Sequence, residues 1–285
     1  MPDSPSSQVT ALSVMQAKGR RKLAVITAYD AGQAALAEAA GADILLVGDS
    51  LAMVVLGLPD TVSVTMEQMI HHSLAASRGA SKALLVTDMP FLSYQTDVPE
   101  AVRNAGRLMK EGRARAVKLE GGAEIAPQVR AMVAAGIPVM GHLGLTPQHV
   151  AQLGGYKVQG KSASAARRLL EDAKALADAG CFSLVLECVP GPVAEVVTKA
   201  VAVPTIGIGG GPHCDGQVLV FHDLLGLFEG FRPKFVKRYA EMAPTIREAL
   251  GRYVEDVRQG AFPGPEHSFE MAPDELDRLL TNMED

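Results

Sequence analysis

Six ionisable residues each stand at or near the end of a short aliphatic run, where the sequence predicts the end of a buried strand. Carboxylate and imidazole side chains are groups that enzymes use to transfer protons and to bind metal ions. The six are Asp30, Asp49, Asp88, Glu120, His142 and Glu187. If the strands are parallel, these side chains meet at one edge and could act on one ligand. For any single one of them, an ordinary solvated strand end is an equally good interpretation.

Three of the carboxylates, Asp49, Asp88 and Glu120, follow successive predicted strands and would converge from one side. Like charges at close range favour a cation between them. Because the donors are oxygens without a cysteine or histidine cluster, the preferred ion is a hard one such as Mg²⁺, with positions left for water and substrate. The sequence therefore predicts a magnesium site. The alternative is three separately solvated carboxylates.

Lys118 lies in the segment AVKLE, residues 116–120, where charged and apolar residues alternate. Lys118 and Glu120 thus share one face of the predicted strand, and the apolar residues share the other. Since the apolar face must pack on helices, the charged face points into the site. There a lysine either forms a Schiff base, as in class I aldolases, or stays charged and pairs with a substrate carboxylate. Neighbouring anions raise a lysine's pKa and favour the charged form.

Glu187 follows a continuous apolar run, so we expect it to be partly desolvated. Desolvation raises a carboxylate's pKa and suits it to general-base work, although a salt-bridged strand end fits the pattern as well. His142 stands between two glycines that allow close backbone approach, and it is either a positioned hydrogen-bond donor or a merely buried histidine. Cys188 has no partner in the sequence that would activate it, so packing is its expected role.

Eight aliphatic runs alternate with alanine-rich stretches of helical period, as expected for repeated βα units. The runs cover residues 23–30, 44–50, 83–90, 116–121, 138–144, 182–189, 204–211 and 217–223. Eight units without a GxGxxG after the first run predict an α/β fold, a (β/α)₈ TIM barrel with its active site at the C-terminal ends of the strands. We expect an N-terminal segment over residues 1–22, the barrel over 23–229 and a C-terminal helical extension over 230–285.

The composition of the 285 residues, 48% hydrophobic and 21% charged, is that of a globular protein. A formal net charge of −5 argues against nucleic-acid or membrane partners, which need a concentrated basic surface. The three cysteines are an odd number without CxxC spacing and indicate reduced thiols. The first residues lack the order of a signal peptide, and no apolar run is long enough to span a membrane. These features predict a cytoplasmic protein.

Ten ordered segments of this chain resemble those of the ketopantoate hydroxymethyltransferase family. They are ITAYD at 26–30, LVGDS at 46–50, TDMPF at 87–91, VKLEGG at 117–122, GHLGLTPQ at 141–148, GGYKVQG at 154–160, LECVP at 186–190, IGIG at 206–209, DGQ at 215–217 and HSF at 267–269. The similarity runs from about residue 15 to residue 269, which is nearly the whole chain. So many matches in order make a chance resemblance improbable.

The resemblance implies a TIM barrel that binds Mg²⁺ and uses 5,10-methylenetetrahydrofolate as co-substrate. Such enzymes transfer a hydroxymethyl group to 3-methyl-2-oxobutanoate, giving 2-dehydropantoate and tetrahydrofolate. By position, Asp49 and Asp88 would hold the metal, with Glu120 in contact directly or through water, and Glu187 would be the proton acceptor. The ketoacid would be bound by Asp49, Ser50, Asp88, Lys118 and His142. Family members commonly form homo-oligomers, often decamers, so the resemblance implies a homo-oligomer here.

Three other functions fit parts of the pattern. A Mg²⁺-dependent carbon–carbon lyase of the phosphoenolpyruvate-binding barrel type shares the metal, the ketoacid and the enolate but needs no folate. A class I aldolase would use Lys118 as a Schiff base and would be insensitive to chelators. A non-catalytic metabolite-binding barrel would bind the ketoacid without exchanging its proton, but a metal site together with Lys118 and Glu187 argues against that reading.

Overall fold

The computed structural model describes residues 8–230, 232–281 and 283, so residues 1–7 of the predicted N-terminal segment lie outside the described residues. In this part of the chain eight parallel strands close into a barrel in sequence order, β1 pairing with both β2 and β8. The strands are β1 Leu23–Thr27, β2 Ile44–Val47, β3 Leu84–Asp88, β4 Ala116–Glu120, β5 Val139–Gly144, β6 Ser183–Glu187, β7 Thr205–Ile208 and β8 Gly216–Leu219. The prediction of a (β/α)₈ TIM barrel is confirmed.

Helices between successive strands cover the outside of the barrel, and further helices precede the first strand or follow the last one in the chain. They are α1 Ala11–Gln16, α2 Ala31–Ala39, α3 Leu51–Val54, α4 Met66–Ser77, α5 Val98–Lys110, α6 Ala126–Ala134, α7 Val150–Leu153, α8 Ala163–Asp178, α9 Gly191–Ala200, α10 Phe221–Leu224, α11 Met242–Gln259 and α12 Pro273–Thr281. Short 3₁₀ turns cover Ala123–Ile125, Pro147–His149 and Pro265–His267. Thr65 begins α4 with a reciprocal pair of bonds to Gln68, which satisfies amides of the first helical turn.

The alternation of residues along each strand separates two apolar layers. In β4, Val117 and Leu119 belong to the layer between strands and helices, whereas Ala116 belongs to the cluster inside the barrel. Val14 of α1 also packs in the inner cluster. Lys118 and Glu120 continue the inner face toward the C-terminal end of the strand, where both are buried. The inward orientation predicted for these two side chains is therefore confirmed.

Strand register brings the site residues together in neighbouring pairs. Asp88 of β3 is opposite Lys118 of β4, and Glu120 of β4 is opposite His142 of β5. Glu187 of β6 is opposite Gly144 of β5. Neighbouring strands lie about 4.8 Å apart, so side chains on the same face of paired residues are within contact distance.

The chain divides into two compact units, with the boundary between Tyr239 and Ala240. The first unit includes the segment after β8, and the predicted extension over 230–285 covers the end of this unit and the whole of the second. The second unit contains α11 and α12, and none of its described residues is buried. None of the described helices is both long and apolar enough to cross a membrane.

Candidate active site

A cavity of about 430 Å³ opens at the C-terminal ends of the strands. It contains seven side chains that the sequence singled out, namely Asp49, Ser50, Asp88, Lys118, Glu120, His142 and Glu187. Asp30 is the exception among the six strand-end residues. It is exposed, and its carboxylate accepts the N–H of Gln33 at 2.8 Å as the N-cap of α2. Asp30 therefore caps a helix and takes no part in the site.

Asp49 and Asp88 are held against each other at the floor of the cavity. Asp88 Oδ2 accepts the backbone N–H of Asp49 at 3.1 Å. The two residues are 4% and 2% exposed. Burial, followed by the charges of Asp88 and Glu120, raises the pKa of Asp49 well above its usual value. Two buried carboxylates this close resist ionising together unless a cation joins them, which fits a metal site.

Lys118 supplies a positive charge beside these carboxylates. Its Nζ lies 3.0 Å from Asp88 Oδ1, and both side chains are at most 5% exposed. Burial alone would lower the pKa of Lys118, but the charges of Asp88, Glu120 and Asp49 raise it above its ordinary value. Lys118 is thus an ammonium group and a poor nucleophile, which argues against the Schiff-base chemistry of a class I aldolase.

His142 lies between two glutamates. Its Nδ1 is 3.4 Å from Glu120 Oε1, and its Nε2 is 3.2 Å from Glu187 Oε2. Burial and the Lys118 ammonium oppose a charge on the ring, but the two glutamates outweigh them and raise the pKa of His142 to about 9.

The contact with Lys118 also determines which ring nitrogen of His142 carries a hydrogen. Lys118 Nζ lies 3.2 Å from Nδ1, and an ammonium group has only hydrogens to offer. The neutral form that accepts from Lys118 at Nδ1 carries its hydrogen on Nε2, and so does the imidazolium. In both forms Nε2 carries a hydrogen and lies 3.2 Å from Glu187 Oε2, but the two atoms do not form a hydrogen bond of good geometry. The role of His142 as a positioned donor stays a prediction.

Glu187 is the least enclosed carboxylate of the group. Its side chain is 16% exposed, compared with 1% for Glu120 and 3% for Asp88. Its backbone oxygen accepts the N–H of Leu145 at 2.8 Å, which anchors the end of β6 to the chain after β5. Glu187 thus combines a fixed backbone with a carboxylate that a ligand in the cavity can reach.

Ser50 and Cys188 also line the cavity. Ser50 Oγ lies 2.8 Å from the hydroxyl of the buried Tyr29. Cys188 has a φ of 48°, an uncommon left-handed conformation for a residue with a side chain. Burial and the neighbouring Glu187 raise the pKa of the Cys188 thiol to about 11, so it is not an activated nucleophile.

The rest of the cavity lining is largely apolar and comes from residues that were not predicted as site residues. It includes Met53, Val54, Leu145, Tyr156, Val158, Phe228 and Phe235. Gly209 makes room for one of these rings, because a Cβ there would lie 2.9 Å from Phe235 Cδ1. Its φ of 69° also favours glycine. The cavity therefore has a charged half and a half suited to a flat apolar ligand.

Tyr94 and Gln148 were also missed, although they hold the charged half in place. Both are buried: Gln148 contacts Asp49 and Glu120, and Tyr94 contacts the backbone of Glu120 and the Gln148 side chain. Gln148 falls within the segment GHLGLTPQ that resembles the family, and this was the one signal that could have found it. Tyr94 lies between β3 and α5 in a loop without regular structure.

The residues at the floor fit a magnesium ion held by few protein ligands. No group of three His, Cys, Asp or Glu side chains in the described chain forms a complete metal site, so Glu120 as a direct ligand stays a prediction. Mg²⁺ commonly takes one or two carboxylates and completes its shell with water and substrate. Asp88 Oδ1 is buried without a hydrogen bond of good geometry, despite its ion pair with Lys118. Asp49 and Asp88 thus fit a two-carboxylate site for such an ion.

Comparison with known proteins gives matches over nearly the full length of the chain. Residues 7–265 match the family model described as ketopantoate hydroxymethyltransferase. A 3-methyl-2-oxobutanoate hydroxymethyltransferase of Syntrophobacter fumaroxidans is 60% identical over 279 residues, which cover 98% of this chain and 99% of the relative. A protein of the same name from Oleidesulfovibrio alaskensis is 59% identical over 275 residues, covering 96% and 95%.

Solved structures with the same barrel are far more distant in sequence. Phosphoenolpyruvate phosphomutase from Streptomyces platensis subsp. rosaceus aligns with a TM-score of 0.59 at 16% identity, covering 96% of each chain. A 2,3-dimethylmalate lyase of the PEP mutase/isocitrate lyase superfamily aligns with a TM-score of 0.56 at 19% identity, covering 96% of this chain and 95% of the lyase. At such identities the likeness shows the fold alone.

Proposed function

This chain belongs to the ketopantoate hydroxymethyltransferase family, and from that premise we propose that the enzyme transfers a hydroxymethyl group from 5,10-methylenetetrahydrofolate to 3-methyl-2-oxobutanoate. The products are 2-dehydropantoate and tetrahydrofolate, in the biosynthesis of pantothenate and hence of coenzyme A. The observation that carries this proposal is the cavity in which Asp49, Asp88, Lys118 and Glu187 converge. These residues supply a place for a cation, a positive charge for a carboxylate and a base for a proton.

The ketoacid binds in the charged half of the cavity. The Lys118 ammonium pairs with its carboxylate, and the Ser50 hydroxyl donates a second hydrogen bond. Asp49 and Asp88 would hold Mg²⁺, with Glu120 in contact directly or through water. When bound, Mg²⁺ supplies Lewis-acid stabilisation of the negative charge that develops on the keto oxygen as the C3 proton leaves.

Glu187 takes the proton from C3 of the ketoacid. Its carboxylate reaches the cavity, and Glu187 Oε2 is paired with His142 Nε2 at 3.2 Å. This leaves the other oxygen to act as the base. The carbanion-like C3 then bonds to the one-carbon unit of the folate, and a water molecule supplies the hydroxyl oxygen of the product. Both carbon–nitrogen bonds of that unit break, and the two folate nitrogens take up the proton from C3 and one proton from the water, which gives tetrahydrofolate.

The folate binds against the apolar half of the cavity. A pteridine ring is flat and aromatic, and Phe228, Phe235 and Tyr156 line this wall. Aromatic side chains bind such rings by stacking or edge-to-face contacts. We therefore place the reactive carbon of the folate between these aromatic residues and Glu187.

The remaining expectations from the sequence belong to the same proposal. The partners are the small-molecule ketoacid and the folate, without nucleic acid or membrane. The enzyme is a homo-oligomer, a decamer in the form that is common in the family, and its location is the cytoplasm. Size-exclusion chromatography with light scattering measures the oligomeric state, and a monomer would contradict the proposed homo-oligomer.

Proton exchange at C3 of 3-methyl-2-oxobutanoate tests the role of Glu187 without the folate. In deuterated water with Mg²⁺, the wild-type enzyme replaces this proton with deuterium, which NMR follows directly. Glu187→Gln keeps the shape of the side chain but removes the base, so we expect exchange to slow by about 10²-fold or more while the ketoacid still binds. The matched control is Glu195→Gln, a partly exposed carboxylate on α9 paired with Lys199, which should exchange at the wild-type rate. Undiminished exchange in Glu187→Gln would remove it from the role of base.

A further inference from the structure

Gln148 occupies the centre of the buried polar network beneath the cavity. It lies in the 3₁₀ turn Pro147–His149 after β5 and is 3% exposed. Its side-chain Nε2 donates to Asp49 Oδ2 and to the backbone oxygen of Met89, both at 2.9 Å. Its backbone N–H donates to Glu120 Oε2 at 3.0 Å. One residue thus contacts two carboxylates that come from different strands.

The orientation of the Gln148 carboxamide is fixed by chemistry as well as by shape. The Met89 carbonyl oxygen can only accept, so the atom facing it must be the amide nitrogen. That nitrogen has two hydrogens, and Met89 and Asp49 use one each. On the other side, Gln148 Oε1 lies 2.9 Å from the Tyr94 hydroxyl and accepts from Gln95 Nε2 at 3.2 Å. A flipped carboxamide would place its oxygen against two acceptors.

Tyr94 ties this carboxamide to β4. Its hydroxyl accepts the backbone N–H of Glu120 at 3.1 Å and lies 2.9 Å from both the Glu120 backbone oxygen and Gln148 Oε1. Its single proton serves one of these two oxygens at a time. Tyr94 is fully buried, so these contacts have no water to replace them.

The result is a defined orientation for the Asp49 carboxylate. Oδ2 is engaged by Gln148, so Oδ1 is the oxygen that remains to bind a ligand from the cavity. In Asp88, likewise, Oδ2 is engaged by the Asp49 backbone N–H. Asp49 therefore keeps one oxygen for bonding inside the protein and one for the site, whereas Asp88 Oδ1 lies 3.0 Å from Lys118 Nζ of the cavity lining.

We propose that Gln148 is a positioning residue that orients Asp49 for divalent-cation binding, an inference that rests on the metal role of Asp49 and Asp88 in the proposed function. It acts through Asp49 and does not touch the substrate. Side chains that hold a metal-binding residue in place typically contribute 10- to 100-fold to metal affinity or activity. Loss of the Gln148 carboxamide should therefore weaken the binding of a divalent cation by a factor in that range.

Calorimetric titration of the full-length enzyme with Mn²⁺ alone, without substrate, tests this role. Gln148→Met keeps the length of the side chain and loses its hydrogen bonds, and we expect the Mn²⁺ dissociation constant to rise about tenfold or more. Gln152→Met, an exposed residue four positions further along, is the matched control and should bind as the wild type does. Thermal melting without metal shows whether each variant is folded, and a packing role for Gln148 would lower the melting temperature alone.

A Mn²⁺ affinity of folded Gln148→Met within twofold of the wild type overturns the inference. If that variant does not fold, Tyr94→Phe replaces it, since it removes the hydroxyl beside Gln148 Oε1 and leaves the carboxamide in place. Weaker Mn²⁺ binding by Tyr94→Phe supports the inference, and unchanged binding overturns it. A wild-type enzyme that binds no Mn²⁺ overturns the metal role itself, and with it the role of Gln148, so the two failures are distinguishable.

Discussion

Replacing Lys118 by Met tests whether burial gives the ion pair with Asp88 its strength. Lys118 Nζ lies 3.0 Å from Asp88 Oδ1, with both side chains at most 5% exposed. The pair between Lys199 and Glu195 is shorter, at 2.7 Å, but the lysine is 75% exposed. If distance decided the energy, the exposed pair would contribute more. Solvent screens the exposed pair, so we expect the buried pair to contribute more to stability.

The expected loss follows from what Lys118→Met leaves behind. Asp88 would remain buried beside Asp49 and Glu120 without the ammonium group that compensates them. Removing one partner of a buried pair typically costs 3–5 kcal/mol, so we expect a loss of about 3 kcal/mol in the free energy of unfolding. Mg²⁺ should recover part of this loss, since a cation beside Asp88 also compensates its charge.

Urea unfolding in EDTA, followed by circular dichroism, measures this difference. Lys199→Met serves as the control and should unfold at the wild-type urea concentration, because exposed pairs contribute little. The reasoning is refuted if Lys118→Met loses no more stability than Lys199→Met. It is equally refuted if Mg²⁺ fails to narrow the gap between Lys118→Met and the wild type.

Two further predictions concern the stability of the fold, one at Glu38 and one at a pair of glycines. Burial opposes the charge on Glu38, but the N–H groups of Ala83, Ser81 and Lys82 lower the pKa of its carboxylate. Its stabilisation is therefore present above the ordinary carboxyl pKa and lost as the pH falls through the lowered value. We expect Glu38→Gln to cost about 1 kcal/mol at pH 7 and to match the wild type near pH 3 in urea unfolding; a gap that persists in acid contradicts this. Gly144→Ala should cost about 2 kcal/mol or more and slow turnover, since its φ is 95° and a Cβ would lie 2.2 Å from the Glu187 backbone oxygen. Gly106→Ala, within α5 with open space around it, should stabilise by about 0.5–1 kcal/mol, and equal effects at both glycines would contradict the reasoning.

The sequence predicted the barrel and most of the charged half of the site because both depend on local patterns. Alternation in residues 116–120 was enough to place Lys118 and Glu120 on the inner face, and parallel strands then brought Asp88 and His142 beside them. Asp30 shows the limit of this reasoning. The strand ends at Thr27, and three residues later an aspartate is as good a helix cap as it is a site residue.

The parts that could not be predicted come from loops and from segments distant in the chain. Gln148 and Tyr94 reach the site only because turns after β5 and β3 fold across the barrel mouth, and no periodic pattern encodes such turns. Phe235 lies after the last strand and faces Gly209 across the cavity wall.

Tetrahydrofolate release is the measurement that tests the proposed function most directly. With 5,10-methylenetetrahydrofolate and Mg²⁺ present, addition of 3-methyl-2-oxobutanoate should release tetrahydrofolate and 2-dehydropantoate in equal amounts. EDTA or the Glu187→Gln substitution should abolish most of that release. Turnover of the ketoacid without folate would contradict the account and favour a carbon–carbon lyase, and the absence of tetrahydrofolate under all of these conditions would refute hydroxymethyl transfer itself.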